Sequence, residues 1–431
     1  MSTNLVRTPI AEGVSFSTIY DPKFKHNRLA VNFIVPLSVE TASDYSILAL
    51  LMRKGCKACP DFTKLNQTLD MLYGADLSTD VYKIGASQII SFAVTMVDDR
   101  YTINNDKLLL ECAKLLKSVI FEPLIENGSF PEHDVEIERQ FLIDTIESEI
   151  NDKRAYAVNE CRREMGGDDP ACIRKFGTIE GAKRADGKSA ARAHSVLINC
   201  ARVEIMFTGS GDAKDAMDIF KDAFKPREKG VRAYIAPRIV ERADNVKEKI
   251  ERLDIVQSKL VMGFRTGERP ALNSQAAMRM AVAIFGGTPS SKLFLNVREK
   301  LSLCYYCAAR YDRISAIMMV DSGVEQDNIT PAREEILRQL DDLKRGDFTD
   351  ETMNNTRLQM INSLRGISDA AGALEDWYLH RLLVGEISTP EEEIDELLSV
   401  TREDIISAAN KITLDTVYLL TSKEGGKSIE A

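Results

Sequence analysis

Two Cys-x-x-Cys pairs, Cys56-Lys-Ala-Cys59 and Cys304-Tyr-Tyr-Cys307, are the residues of this chain whose types and spacing most directly suggest chemistry. Four thiolates can hold a structural zinc ion, and one pair can act in redox exchange. The second pair lies in LCYYCAARY, which reads as a strand. Residues three apart on a regular strand face opposite ways, so these two sulfurs are not expected to share an ion. The first pair precedes Pro60 in a loop and lacks the strand–helix setting of a redox motif. Both pairs therefore read as structural thiols. The four histidines, His26, His133, His194 and His380, have no i, i+4 partner among them, so none forms a two-histidine helix face for a metal. They read as satisfied core or surface side chains. Gly286-Gly287 in FGGTPSSK superficially suggests a phosphate loop, but the Gly-Lys-Ser/Thr ending is missing. It reads as a helix stop followed by a serine-capped helix.

Those residues need elements to position them, and the composition supplies them. The chain has 431 residues, 44% of them hydrophobic, with charged residues interspersed. That suffices for more than one core of ordinary size. The formal net charge of -10 disfavours nucleic acid as a partner, because phosphate binding requires cations. No apolar run approaches the roughly 20 residues that cross a bilayer, and the N-terminal MSTNLVRTPIAEGVSF has no signal-like apolar centre. A cytoplasmic protein without membrane or nucleic-acid partners is expected. Eight cysteines in such a chain are expected to be free thiols.

One order of elements is written twice. The strand RLAVNFIVPL (28–37) answers to KLVMGFRTGE (259–268). The helix SILALLMRKG, ending at Gly55, answers to AMRMAVAIFGG, ending at Gly287. DFTKLNQTLDMLYG and SSKLFLNVREKLS follow as second helices. STDVYKIG and SQIISFAVTMVDD then match LCYYCAARY and SAIMMVDSGVEQD as strands. Amphipathic helices LLLECAKLLKSVI and AREEILRQLDDLK come next, and residues 130–148 parallel 348–366 with Arg139 opposite Arg357. The expected fold class is α+β, in two homologous halves, each a largely antiparallel sheet with helices packed on one face. The expected boundaries are 1–224, a charged joint at 225–231, and 232–431, with a frayed polar tail TSKEGGKSIEA.

A duplicated α+β chain carrying FGGTPSSKLFLNVREKLSLCYY resembles the insulinase/pitrilysin superfamily of zinc peptidases, which includes the mitochondrial processing peptidase. The resemblance spans nearly the whole chain. NRLAVNFIVPL, LDMLYGADLSTDVYKIGASQIISF and DIVQSKLVMGFRT further resemble a bacterial branch of non-peptidase homologues. The resemblance implies the metallopeptidase-like LuxS/processing-peptidase fold. Active members carry His-x-x-Glu-His on a helix, so that two histidines on one face hold zinc and the glutamate serves the bound water as base. A further glutamate on a later helix completes the ligands. Aligned on Lys54-Gly55, the two histidines fall at Ser46 and Leu50 and the base at Ala49. Aligned on Glu138-Arg139, the third ligand falls at Thr145. Neither Leu50 nor Ala49 can ligate or move a proton, and neutral hydroxyls are weak donors for zinc. The unusually apolar SILALLM thus reads as a metal site replaced by packing.

The resemblance also implies an arginine and, seven residues later, a tyrosine that hold the substrate backbone from the second half. Arg298 and Tyr305 stand at that spacing. A guanidinium and a phenol are suitable donors to a carbonyl. The expectation is therefore a catalytically inactive homologue with no catalytic residue and no cofactor of its own. It would be the substrate-binding subunit of a heterodimeric metallopeptidase whose His-x-x-Glu-His partner brings the zinc and whose substrates are unstructured peptides. The alternative is a self-associating peptide-binding or scaffold protein, a homodimer without a peptidase partner.

Overall fold

The structure is a computed structural model describing residues 5–167, 169–227, 239–267 and 275–423. Residues 228–231 of the expected joint and 424–431 of the expected tail lie outside the described residues. Two compact units emerge, and neither is a continuous piece of sequence. The first comprises 1–147, 173–236 and 367–389; the second comprises 148–172, 237–366 and 390–431.

The first unit is built on a six-stranded sheet. Its strands are β1 (Leu5–Ala11), β2 (Val14–Tyr20), β3 (His26–Pro36), β4 (Asp76–Ile84), β5 (Ser87–Val97) and β6 (Arg202–Gly209). Their order is β1-β2-β6-β3-β5-β4, with β2 and β6 parallel and every other neighbour antiparallel. The second unit repeats this with β7 (Lys247–Leu253), β8 (Ser258–Arg265), β9 (Cys304–Asp312), β10 (Ile317–Val324) and β11 (Thr413–Ser422). The order β7-β11-β8-β10-β9 contains one parallel pair, β7 with β11. The duplication anticipated from the sequence is thus also a duplication of topology: β3 and β8 play the same central role.

Period-two patterning explains the layers. Val31, Phe33 and Val35 of β3, Ile90, Phe92 and Val94 of β5, and Val203, Ile205 and Phe207 of β6 all enter one core with the helices Ala42–Met52 and Leu108–Phe121. Phe33 and Phe92 meet edge to face with centroids 6.0 Å apart. Central strands this apolar on one face can only be satisfied by helices laid over them. No described helix is long and apolar enough to cross a membrane.

The opposite face of each sheet is covered as well, by one helix that sequence order would assign to the other half. In the first unit, Arg28 and Asn32 of β3 face Glu375 of the helix Ala371–Val384. In the second, the helix Lys153–Gly166 sets Ala157, Cys161 and Met165 against Val261, Ile317, Met319, Tyr418 and Leu420. Gly263 of β8 makes room for it, since a Cβ there would come within 2.1 Å of Met165 Sδ. The compact units do not follow the expected halves 1–224 and 232–431: each takes one helix from beyond its own half. The reason is burial: Ala157, Cys161 and Met165 form an apolar stripe at helical spacing that must meet an apolar sheet face.

Candidate functional site: the helix Ala42–Met52 and the Arg298–Tyr305 pair

The helix Ala42–Met52 holds Ser46, Ala49 and Leu50 in the first unit. Nine of its eleven residues are buried, which accounts for its nearly uniform apolarity. Ser46 is 1% exposed, and its hydroxyl donates back to Ala42 O at 2.8 Å. Ala49 is buried and Leu50 packs against the core from its partly buried edge. Thr145, on the helix Glu132–Ser148, donates its hydroxyl to Phe141 O at 2.7 Å. Both hydroxyls therefore serve backbone carbonyls of their own helices, an ordinary mid-helix use of Ser and Thr. The donor set does not fit zinc: it supplies no imidazole, no carboxylate and no base. Among the described residues, no group of three or more His, Cys, Asp or Glu is arranged to hold a metal ion.

Other polar groups complete the packing here. Gln88, fully buried on β5, donates from Nε2 to Lys175 O at 2.7 Å, to Ala42 O at 3.0 Å and to Ser46 Oγ at 3.3 Å. Ser43 donates to Phe176 O at 3.0 Å. Backbone from 173–178 thus lies directly over the helix. Gly177 allows it, with φ of +79° and a would-be Cβ 2.4 Å from Ser43 Oγ. Lys54 and Glu138 are joined by a salt bridge of 2.5 Å. Sequence reasoning missed Gln88; a lone amide in the otherwise apolar SQIISFAVTMV was its only signal.

Arg298 and Tyr305 belong to the second unit. The helix Ala276–Val282 widens into a π-helical turn at Ala283–Gly287, and a second π-helical stretch, Leu293–Lys300, carries Arg298 in its last turn. A helix stop followed by a serine-started helix is the arrangement expected of FGGTPSSK, and Phe294 N indeed donates to Ser291 Oγ at 3.4 Å. The glycines serve packing: a Cβ on Gly286 would lie 2.8 Å from the backbone nitrogen of Ala309 on β9. Arg298 is half-exposed, stacked over Phe294 at 4.6 Å and 3.7 Å from Glu299. Tyr305 is 58% exposed and donates to Glu325 Oε1 at 2.7 Å. That bond to a carboxylate raises the phenol's pKa above its ordinary value. Tyr305 is exposed and Arg298 half-exposed, whereas Ser46 and Ala49 are buried and Leu50 and Thr145 partly buried.

One expectation about this segment is corrected. β9 is not a regular strand: Tyr306 pairs with Gly323 but Cys304 pairs with Val324, leaving Tyr305 as an extra, unpaired residue. This bulge turns Cys304 and Cys307 to the same side, where both are buried, and brings their thiols within hydrogen-bonding reach. The other pair, Cys56 and Cys59, closes a tight turn through Cys56 N to Cys59 O at 2.8 Å and the reciprocal bond at 2.9 Å. It contributes two buried thiols to the first core, as a structural role requires. All eight cysteines are free. His194 is buried and bonded through Nε2 to Ile120 O at 2.8 Å, and burial lowers its pKa. His380 bonds Asp376 O at 2.8 Å.

Comparison with known proteins fits this geometry. Residues 193–360 match the Peptidase M16 inactive domain. YmfF of Bacillus subtilis, named as an inactive metalloprotease, is 28% identical over 414 residues, spanning 96% of this chain and 97% of its own. The chain is similar to the M16 peptidases. More narrowly, it is a homologue of the inactive M16 metalloproteases. A conserved protein from Enterococcus faecalis superposes with a TM-score of 0.90 at 28% identity over 99% of this chain and 100% of that one. The Peptidase M16 inactive domain structure from Pseudomonas fluorescens shares the fold, with a TM-score of 0.77 at 16% identity over 98% and 100% of the two chains.

Proposed function

We propose that this M16 homologue is the non-catalytic, substrate-binding subunit of a heterodimeric metallopeptidase. The observation that carries the reading is the contrast between its two signatures. The positions of the two histidines, the base and the third ligand hold Ser46, Leu50, Ala49 and Thr145, committed to packing and local hydrogen bonds. Arg298, half-exposed, and Tyr305, exposed, carry a guanidinium and a phenol suited to donate to a peptide carbonyl. A chain that has lost only its metal half gains selective value from those donors when another chain supplies the metal. The partner would be a His-x-x-Glu-His paralogue, zinc would reside only there, and the substrate would be an unstructured peptide. The cytoplasm as its compartment belongs to the same proposal.

The test begins with the tagged full chain recovered from extract of its own cells. The expected result is a stoichiometric second chain with about one zinc per pair. In the reconstituted pair, Arg298→Ala and Tyr305→Phe each lower peptide cleavage at least tenfold, the scale of losing one oxyanion-type donor. A native mass corresponding to a lone homodimer, or unchanged cleavage in both variants, overturns the proposal.

A further inference from the structure

The bulge in β9 creates a two-sulfur site that the peptidase reading does not use. Cys304 stands opposite Val324 and Cys307 opposite Ser322, so the two cysteines are set off by two residues of the partner strand, on one face. They are 8% and 4% exposed. Ser322, opposite Cys307, is fully buried, and its hydroxyl has no hydrogen-bond partner among the described residues. Arg298, in the preceding π-helical stretch, adds positive potential at Cys304. The Cys304 thiol is drawn below its ordinary pKa, first by its contact with Cys307, while Cys307 is pushed up by the same contact and by burial.

Spacing decides what such a pair can do. Two residues of strand span about 6.6 Å, and side chains on one face leave in parallel. A disulfide needs Cβ atoms only about 3.5–4.5 Å apart, so closing one here would break the strand. Two sulfurs bracketing one ion, each about 2.3 Å from it, sit about 4.6 Å apart, a separation that rotation of the two thiols reaches with the backbone unmoved. Zinc would require two further ligands, which a serine hydroxyl and apolar neighbours do not provide. A soft monovalent d10 ion accepts two thiolates in line.

We propose that Cys304 and Cys307 form a bis-thiolate site for copper(I), with Ser322 hydrogen-bonding to the sulfurs and Arg298 offsetting the negative charge. Binding replaces two S–H bonds with two Cu–S bonds and releases both protons to solvent, with no change in the oxidation state of copper. The bulge residue between the ligands is Tyr305 itself, so the ion would fix the backbone that presents this side chain. The proposal stands independently of any peptidase partner.

The isolated full chain, reduced and anaerobic, is titrated with Cu(I) buffered by bicinchoninate. One Cu(I) per chain is expected at chelator concentrations at which Cys304→Ser and Cys307→Ser retain at least tenfold less. Because either variant could lose the fold, the wild-type chain is also alkylated with iodoacetamide, with and without copper, and mapped by mass spectrometry. Copper should slow labelling of Cys304 and Cys307 at least tenfold. Complete loss of copper to the chelator, or protection confined to other cysteines, overturns the assignment.

Discussion

Lys54 Nζ lies 2.5 Å from Glu138 Oε1, tying the turn after the helix Ala42–Met52 to the helix that carries Thr145. The lysine side chain is 29% exposed and the glutamate 10%, so the pair is better sheltered than a surface bridge. Removing one partner strands the other in a partly dry site. Glu138→Ala is expected to lower stability by about 2 kcal/mol in urea unfolding, and a double-mutant cycle with Lys54→Met to give a coupling of about 1 kcal/mol. A coupling indistinguishable from zero would show that the two charges do not act together.

Zinc should leave this chain indifferent. After dialysis against a chelator, tenfold excess zinc is expected to leave the thermal midpoint unmoved and to yield less than about a tenth of an ion per chain by elemental analysis. Binding to the native state alone would raise the midpoint by mass action. One tightly retained zinc ion abolished by substituting Ser46 or Thr145 would contradict the packed reading of those positions.

Glu375 gives the first unit a pH dependence. Burial pushes its pKa up to about 7, against the opposing pull of Arg28, whose Nε donates to Oε2 at 2.8 Å. Asp376, Asp80, Tyr82 and Asn32 complete its charged and polar surroundings. A carboxyl whose folded pKa is raised contributes stability that is full below its unfolded value of 4.5 and is lost as pH climbs through about 7. Wild-type stability should therefore fall between pH 5 and pH 8, by up to about 3 kcal/mol from this group. Glu375→Gln, which cannot ionise, should flatten that part of the profile. Parallel profiles for the two proteins would place the titration elsewhere.

Adjacent glycines should respond differently to alanine. A Cβ on Gly286 would approach Leu293 Cδ1 at 2.7 Å and both Cβ and N of Ala309 at 2.8 Å, and the β9 backbone cannot yield cheaply. On Gly287 the nearest atom is Ala283 Cβ at 3.4 Å. Gly286→Ala is expected to cost about 1–3 kcal/mol, as overpacking does, whereas Gly287→Ala should be nearly neutral. Equal denaturation midpoints would mean that the segment repacks.

The duplicated order of strands and helices was legible because period-two and period-3.6 patterns are local, and both copies of RLAVNFIVPL-like strands announce themselves. The pairing of β2 with β6 and of β7 with β11 was not, since partners so far apart in sequence leave no local trace. Gln88 was overlooked for the same reason: its acceptors, Lys175 O and Ala42 O, come from distant segments.

Residue type alone settled that Leu50 and Ala49 cannot ligate or move a proton, because no fold can give an alkyl side chain a lone pair. Sequence likewise supplied Arg298 and Tyr305 and the two sulfurs of Cys304 and Cys307. Only the tertiary structure decided where those sulfurs point, through one unpaired residue against β10, and which sheet faces received the helices Lys153–Gly166 and Ala371–Val384. Register and helix docking are set by the surfaces that meet, and those surfaces exist only once distant stretches of chain have come together.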